Sequence, residues 1–130
     1  MKSFKKGILA LGLTLGIIAS VGGAAFASSG VSGNINGTYT IGASSISYDE
    51  AKGRTMFGTL GLVTVSSDYT YINVHTLSTG TQSKYDGDTN RTSAVVSFVP
   101  PRNCRSVMIK STHYVYAFGR LWSAKTDNTY

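Results

Sequence analysis

The chain has 130 residues, with 12 basic and 6 acidic side chains, 15 glycines, 2 prolines and a single cysteine. That length fits one domain and hardly two, and a lone cysteine excludes a disulfide within the chain, so the fold must stand on its core. The formal charge of +6 favours association with anionic polymers without establishing it.

Met1 to Ala27 has the three parts of a secretory signal peptide. Lys2, Lys5 and Lys6 form a basic start, Ile8 to Val21 an apolar middle, and Ala25-Phe26-Ala27 a small-residue end. Cleavage after Ala27 and secretion to the cell exterior are the expectation, and the short lysine-bearing leader reads as bacterial. The glycines within it dilute a segment already short for a span of about 20 apolar residues, and no second apolar stretch follows. Three of the 12 basic residues lie in this leader, so its removal halves the net charge from +6 to +3.

Ser28 to Gly37, rich in Ser, Gly and Asn, reads as a flexible leader because it offers little apolar area to offset ordering. From residue 38 to residue 126 the pattern changes to short alternating runs rich in Thr, Tyr, Val and Ile, broken by Gly, Asp, Asn and Ser. That is the composition of a single antiparallel β domain. The first run, Thr38 to Tyr48, places Tyr39 and Ile41 on one parity and Ile46 and Tyr48 on the other, which calls for a bulge near Ser44 and Ser45. Asp49 to Gly53 reads as a turn. Arg54 to Ser66 follows, with apolar residues on both parities and a kink or close backbone approach at Gly58 and Gly61.

Ser66 to Asp68 reads as a short turn into Tyr69 to Leu77, where Ile72 and Val74 are expected in the core and Tyr69, Tyr71, Asn73 and His75 on the opposite face. Ser78 to Thr89 reads as a polar connection containing Asp86-Gly87. Arg91 to Val99 resumes the strand pattern, and Pro100-Pro101 ends it because proline cannot donate to a ladder. Asp127 to Tyr130 reads as a polar tail. Six or seven strands in about 90 residues suggest a small antiparallel β-sandwich, with a closed β-barrel as the alternative, and nothing reads as a helix.

The richest stretch is Arg105 to Lys125. Val107, Ile109, Val115, Ala117 and Leu121 fall on odd positions, whereas Lys110, Tyr114, Tyr116, Phe118, Arg120 and Trp122 fall on even ones, and strand side chains alternate between faces. As a single strand, Val107 to Ser123 would extend about 56 Å, several times the usual length. The chain must therefore turn, either at Ser111 to His113 or at Phe118 to Arg120 around Gly119. The even face makes Lys110, Tyr114, Tyr116, Arg120 and Trp122 the candidate ligand-binding residues, since aromatic faces stack on sugars or bases and cations pair with phosphate or carboxylate. The plainer alternative puts Phe118 and Trp122 in the core, with the cations keeping a strand edge soluble.

Other constellations are weaker. Asp86, Asp88 and Asn90 match the first three ligands of a calcium loop, but Arg91 and Ser97 stand where that loop needs glycine and glutamate. His75 and His113 accompany many serines without any nucleophile signature, and Glu50 has no opposing carboxylate for glycosidase chemistry. Two distant histidines and Cys104 lack the ligand spacing of zinc sites, and Cys104 is expected to be buried. Asn36-Gly37-Thr38 and Asn90-Arg91-Thr92 fit the glycosylation acceptor pattern, which matters only in a host with that machinery. No cofactor, metal or catalytic set is expected. The function implied is binding at the cell surface or in the medium, with an anionic cell-envelope polymer as the partner and nucleic acid disfavoured. A secreted antibacterial or toxin-like protein is the alternative, and a secreted hydrolase or enzyme inhibitor the third.

Overall fold

A computed structural model describes residues 26–130. The expected signal peptide, Met1 to Ala27, lies outside the described residues except for Phe26 and Ala27. Six strands are present and no helix among the described residues: β1 (Phe26–Ile35), β2 (Thr38–Ser47), β3 (Glu50–Asn73), β4 (Thr79–Phe98), β5 (Cys104–Ala117) and β6 (Arg120–Thr129). Every pairing between them is antiparallel. The fold is all-β, as the alternation required.

Its organising pair is β3 and β4, which at 24 and 20 residues greatly exceed an ordinary strand of about 5 or 6. Neither runs straight. A side chain on Gly53 would collide with the Ser67 hydroxyl of the same strand, and Lys84 Nζ donates to the Ser97 carbonyl of its own strand at 2.6 Å. The β3–β4 ribbon therefore doubles over. Its bend lies where the ladder loses register, between Met56 and Gly61 and again between Gly61 and Val63, and Asn90 in β4 takes φ 55 there. Bulges of this kind strengthen twist and bend a strand. Gly61 shows the close approach that its lack of a side chain permits, since a Cβ there would sit 3.0 Å from the Tyr116 carbonyl.

The doubling produces two facing halves from one sheet. The first half of β3 carries β2 and then β1 on one side and the end of β4 on the other. The second half of β3 carries β5 and then β6, with the beginning of β4 opposite. The result is a sandwich nearly closed as a barrel. β1 and β6 form no ladder, but side chains cross the seam: Ser29 Oγ donates to the Asp127 carbonyl at 3.2 Å, and Asn128 Nδ2 donates to Ser44 Oγ at 2.7 Å. Between the halves lie Phe57, Val63, Val65, Tyr69, Val96, Phe98, Ile109 and Val115, all buried, with Tyr69 stacked on Phe98 at 5.0 Å between ring centres.

Several local expectations are corrected. Ser28 to Gly37 is not a flexible leader: most of it is β1, paired residue by residue with β2 and anchored by buried Ile35. Asn36 and Gly37, at φ 48 and 79, make a two-residue hairpin turn that suits this dipeptide. β2 needs no bulge, because Thr40, Gly42, Ser44 and Ile46 are all buried along an unbroken register. Ser66 to Asp68 is continuous strand, Tyr69 is buried and Tyr71 packs on the core, while exposed Val74 lies in the turn after β3. The expected polar connection of residues 78–89 is mostly the first half of β4. Residues 127–129 continue β6 rather than forming a tail, and Tyr130 meets Tyr48 edge-to-face at 6.0 Å. The strand before Pro100-Pro101 does end, at Phe98.

β4 pairs with β3 alone, so its outer edge is uncovered by any strand. Alternate residues of an antiparallel strand point their backbone groups away from the partner, and three such groups at the end of β4 are met by side chains. Arg91 Nε donates to the Ser93 carbonyl at 3.1 Å, the Val95 amide donates to Asp86 Oδ2 at 2.9 Å, and Lys84 reaches Ser97. Asp86 is also gripped by Arg91 through two bonds of 3.2 and 2.8 Å. The Val95 amide, and then Arg91, hold its carboxyl below the usual carboxylate range. The first half of β4 thus seals the edge of the second, a known defence against edge-to-edge pairing. Replacing Lys84 and Asp86 together by Ala is expected to make the protein associate progressively with concentration in light scattering, and an unchanged molecular mass would show that these side chains do not protect the edge.

Candidate functional site

The chain between β5 and β6 reverses at Phe118-Gly119, at φ 53 and 69, the second of the two expected breaks. The other falls in mid-strand, where His113 is wholly buried. A two-residue turn pairs Ala117 with Arg120, Tyr116 with Leu121 and Val115 with Trp122. Paired residues share a face, so the inward parity is odd in β5 and even in β6.

This decides what the candidate residues can do together. Lys110, Tyr114 and Tyr116 share the outer face of the second half. Trp122 does not: it pairs with Val115, packs against the core and lies over Gly33, where a side chain would collide with its indole nitrogen. Arg120 stands exposed at the hairpin end beside Ala117. Leu121, expected in the core, is exposed on the outer face. Trp122 thus follows the core reading, while Phe118 sits exposed in the turn.

The outer face spans four strands. Across it run the rows Leu121–Tyr116–Leu62, Ser123–Tyr114–Thr64–Gly87, Lys125–Thr112–Ser66–Tyr85 and Asp127–Lys110–Asp68–Ser83. Tyr85, Tyr114 and Tyr116 are 64%, 41% and 48% exposed. The Tyr85 hydroxyl lies 2.9 Å from where Gly87 would carry a side chain, and Thr64 closes on the same spot. The tyrosine therefore leans along its strand toward Tyr114, and the glycine leaves it room. Tyr85 belongs to this surface although it falls in the stretch that reads as a polar connection; its alternation with Ser83 and Gly87 was the available signal.

Charge on this face is balanced rather than basic. Lys110 stands between Asp68 and Asp127 as cross-strand neighbours, and Lys125 shares β6 with Asp127 two positions on. Among the described residues the salt bridges lie elsewhere, at Lys52–Glu50 and Arg91–Asp86. Arg102 and Arg105 sit at the opposite end of the sandwich, near the start of β5. The cations between Arg102 and Lys125, close in sequence, are thus dispersed by the fold.

The remaining candidates take structural places. Asp86 is committed to Arg91 and Val95, and Asp88 accepts from the Thr89 amide at 2.7 Å. His75 lies exposed in the turn after β3, which Asn73 Oδ1 organises by accepting from the His75 and Thr76 amides. Cys104 is free and half-buried where full burial was expected. His113 bridges the two halves: Nδ1 shares a hydrogen bond with Thr55 Oγ1 and Nε2 with Thr126 Oγ1, each 2.8 Å. In a neutral imidazole one nitrogen donates and the other accepts, and a hydroxyl can fill either role. Its hydrogen-bond partners include no carboxylate. No family model matches the chain, and no relative is found among curated proteins.

Burial pushes the His113 pKa down from 6.5 to about 4, against a smaller opposing effect of the Arg54 backbone. Between those values the unfolded chain binds a proton that the folded one refuses, so stability rises with pH through this window. Denaturant unfolding is expected to show full stability above about pH 7 and a loss of about 3 kcal/mol by pH 4. His113→Leu should remove that pH dependence while lowering stability throughout, because Thr55 and Thr126 lose their partner; a variant keeping the slope would assign it to another group. Gly42 faces the imidazole, and a Cβ there would lie 2.5 Å from His113 Cγ. Gly42→Ala should therefore cost about 1–3 kcal/mol in the same measurement, and an unchanged midpoint would show that the ring has room to move.

Proposed function

We propose that the protein is a small exported bacterial binding module whose outer β4–β3–β5–β6 face holds an extended glycan of the cell envelope. The observation that carries this reading is the group of exposed tyrosines, Tyr85, Tyr114 and Tyr116, from three adjacent rows of a rigid four-stranded surface. Aromatic faces stack on sugar rings, and a strip across several strands suits a chain polymer better than a small molecule held in a cleft. Thr112, Ser66 and Ser123 place hydroxyls between the rings, where they exchange hydrogen bonds with sugar hydroxyls. An anionic polymer is served by Lys110 and Lys125, whereas Arg120, paired with Ala117, falls on the other side of the hairpin. Because Asp68 and Asp127 offset the lysines, stacking supplies most of the affinity and charge a smaller, salt-screened part.

Co-sedimentation of the purified protein with isolated cell walls tests this. Replacing Tyr114 and Tyr116 together by Ala is expected to weaken retention roughly tenfold or more, on the scale of one stacked aromatic contact or two, while leaving the melting temperature nearly unchanged. Lys110→Ser with Lys125→Ser should weaken retention only at low salt. Retention insensitive to the tyrosine pair would overturn the reading, and binding abolished by moderate salt would transfer it to charge alone.

A further inference from the structure

The end of the sandwich where β3 bends carries a second surface, which adjoins the tyrosine face at Tyr116 and Leu121. Two hairpins close there with the same turn geometry. One uses Asn36-Gly37 at φ 48 and 79, and the other uses Phe118-Gly119 at φ 53 and 69. Asparagine tolerates the left-handed region, whereas a bulky aromatic residue there is strained. The strained residue does not serve the core, because Phe118 is 59% exposed. A local rule broken on the surface, with no packing gain in the fold, points to a role outside it.

Its neighbours share that exposure. Leu121 and Tyr116 pair beside the turn, and Leu60 protrudes from the β3 bend, whose next residue, Gly61, lies against the Tyr116 carbonyl and Ala117. Tyr39 lies over Gly58 at the same bend and is exposed too. Among these residues stands Arg120, exposed and without a salt bridge among the described residues. Apolar side chains thus come from the β5–β6 turn (Phe118), the start of β6 (Leu121) and the β3 bend (Leu60), with tyrosines and a cation beside them. They supply the residue types of a membrane interface: apolar groups for the acyl boundary, tyrosine for the headgroup level and a cation for phosphate. A protein groove would demand a continuous complementary surface, whereas single apolar side chains projecting from separate elements need only a fluid one.

We propose that this end docks on a lipid bilayer surface, with Phe118, Leu60 and Leu121 entering the acyl boundary and Arg120 pairing with a headgroup phosphate. The inference is independent of the glycan reading, since vesicles contain no wall polymer. Trp122 supplies an internal reference, because it lies inward against Gly33 while Phe118 projects. The test is fluorescence quenching by phosphatidylglycerol vesicles with brominated acyl chains, a short-range quencher. The full chain is expected to show little quenching of Trp122. Phe118→Trp should lose about half of the added emission on mixing, as a residue seated about 5–10 Å deep would. Emission from Phe118→Trp that is untouched by the vesicles overturns the proposal even if the leader holds the chain to the membrane. A second measurement separates lipid from protein. If the protein self-associates without vesicles and Phe118→Asn abolishes that association, this end is an interface between copies and the lipid assignment falls. Phe118→Asn should otherwise leave the monomer intact and its melting temperature equal or higher, because asparagine relieves the strained turn.

Discussion

The structure depends on the doubling of the β3–β4 ribbon and on the hydrogen bonds that clasp its halves together. Sheets pack about 10 Å apart when large side chains interdigitate, but here small residues face one another over part of the interior. Gly42 receives the His113 ring, and Gly53 lies over Ser67 and Ser111, whose hydroxyls are 2.6 Å apart. Close approach brings polar groups into contact, and each then requires a partner because the interior holds little water to replace it. Thr55–His113 crosses from one half to the other, while His113–Thr126, Ser67–Ser111 and Tyr69–Ser106 join neighbouring strands within the second half. The apolar cluster of Tyr69, Phe98, Val63, Val65 and Ile109 supplies the burial, while the polar clasps fix which residue meets which.

The same clasp determines the outer surface. Holding His113, Ser111 and Val115 inward turns Lys110, Tyr114 and Tyr116 outward, and the ladder then brings Tyr85, Leu62 and Leu121 beside them from three other strands. A platform of this kind is stiff because every strand beneath it is paired or sealed. β3 is flanked on both sides, β5 lies between β3 and β6, and the β4 segment of the platform is tied through Lys84 and Asp86 to the end of β4 in the other half. Binding residues set on rigid strands lose little freedom when a ligand arrives.

The class of fold was legible because Val, Ile, Thr and Tyr in short polar-bounded runs have few other places to go. The bend at Gly58 and Gly61, the stop at Pro100-Pro101 and the turn at Gly119 were legible for a similar reason, since each rests on the backbone chemistry of one residue type. Facing was less accessible. Hydrophobic alternation locates the inside only where the inside is hydrophobic, and in β2 the inward positions are Thr40, Gly42, Ser44 and Ile46. The bulge inferred there answered a problem that the polar interior removes. Turn signals failed in the opposite way: Asp86-Gly87 and Ser66 to Asp68 look like reversals, yet the β3–β4 ladder keeps both extended. Trp122 left the even face because a two-residue turn reverses parity, so its side depends on the exact residues of the turn at Gly119 rather than on its own alternation.

These points meet at His113, whose ring joins Thr55 of one half to Thr126 of the other in a space shaped by Gly42. The most direct measurement is a proton–nitrogen NMR titration of its imidazole. The account predicts one neutral tautomer with resonances unmoved from pH 8 to pH 5 and titration only near 4. A His113 ring that exchanges tautomers and titrates at its ordinary 6.5 would contradict the buried clasp, and with it the arrangement of both surfaces.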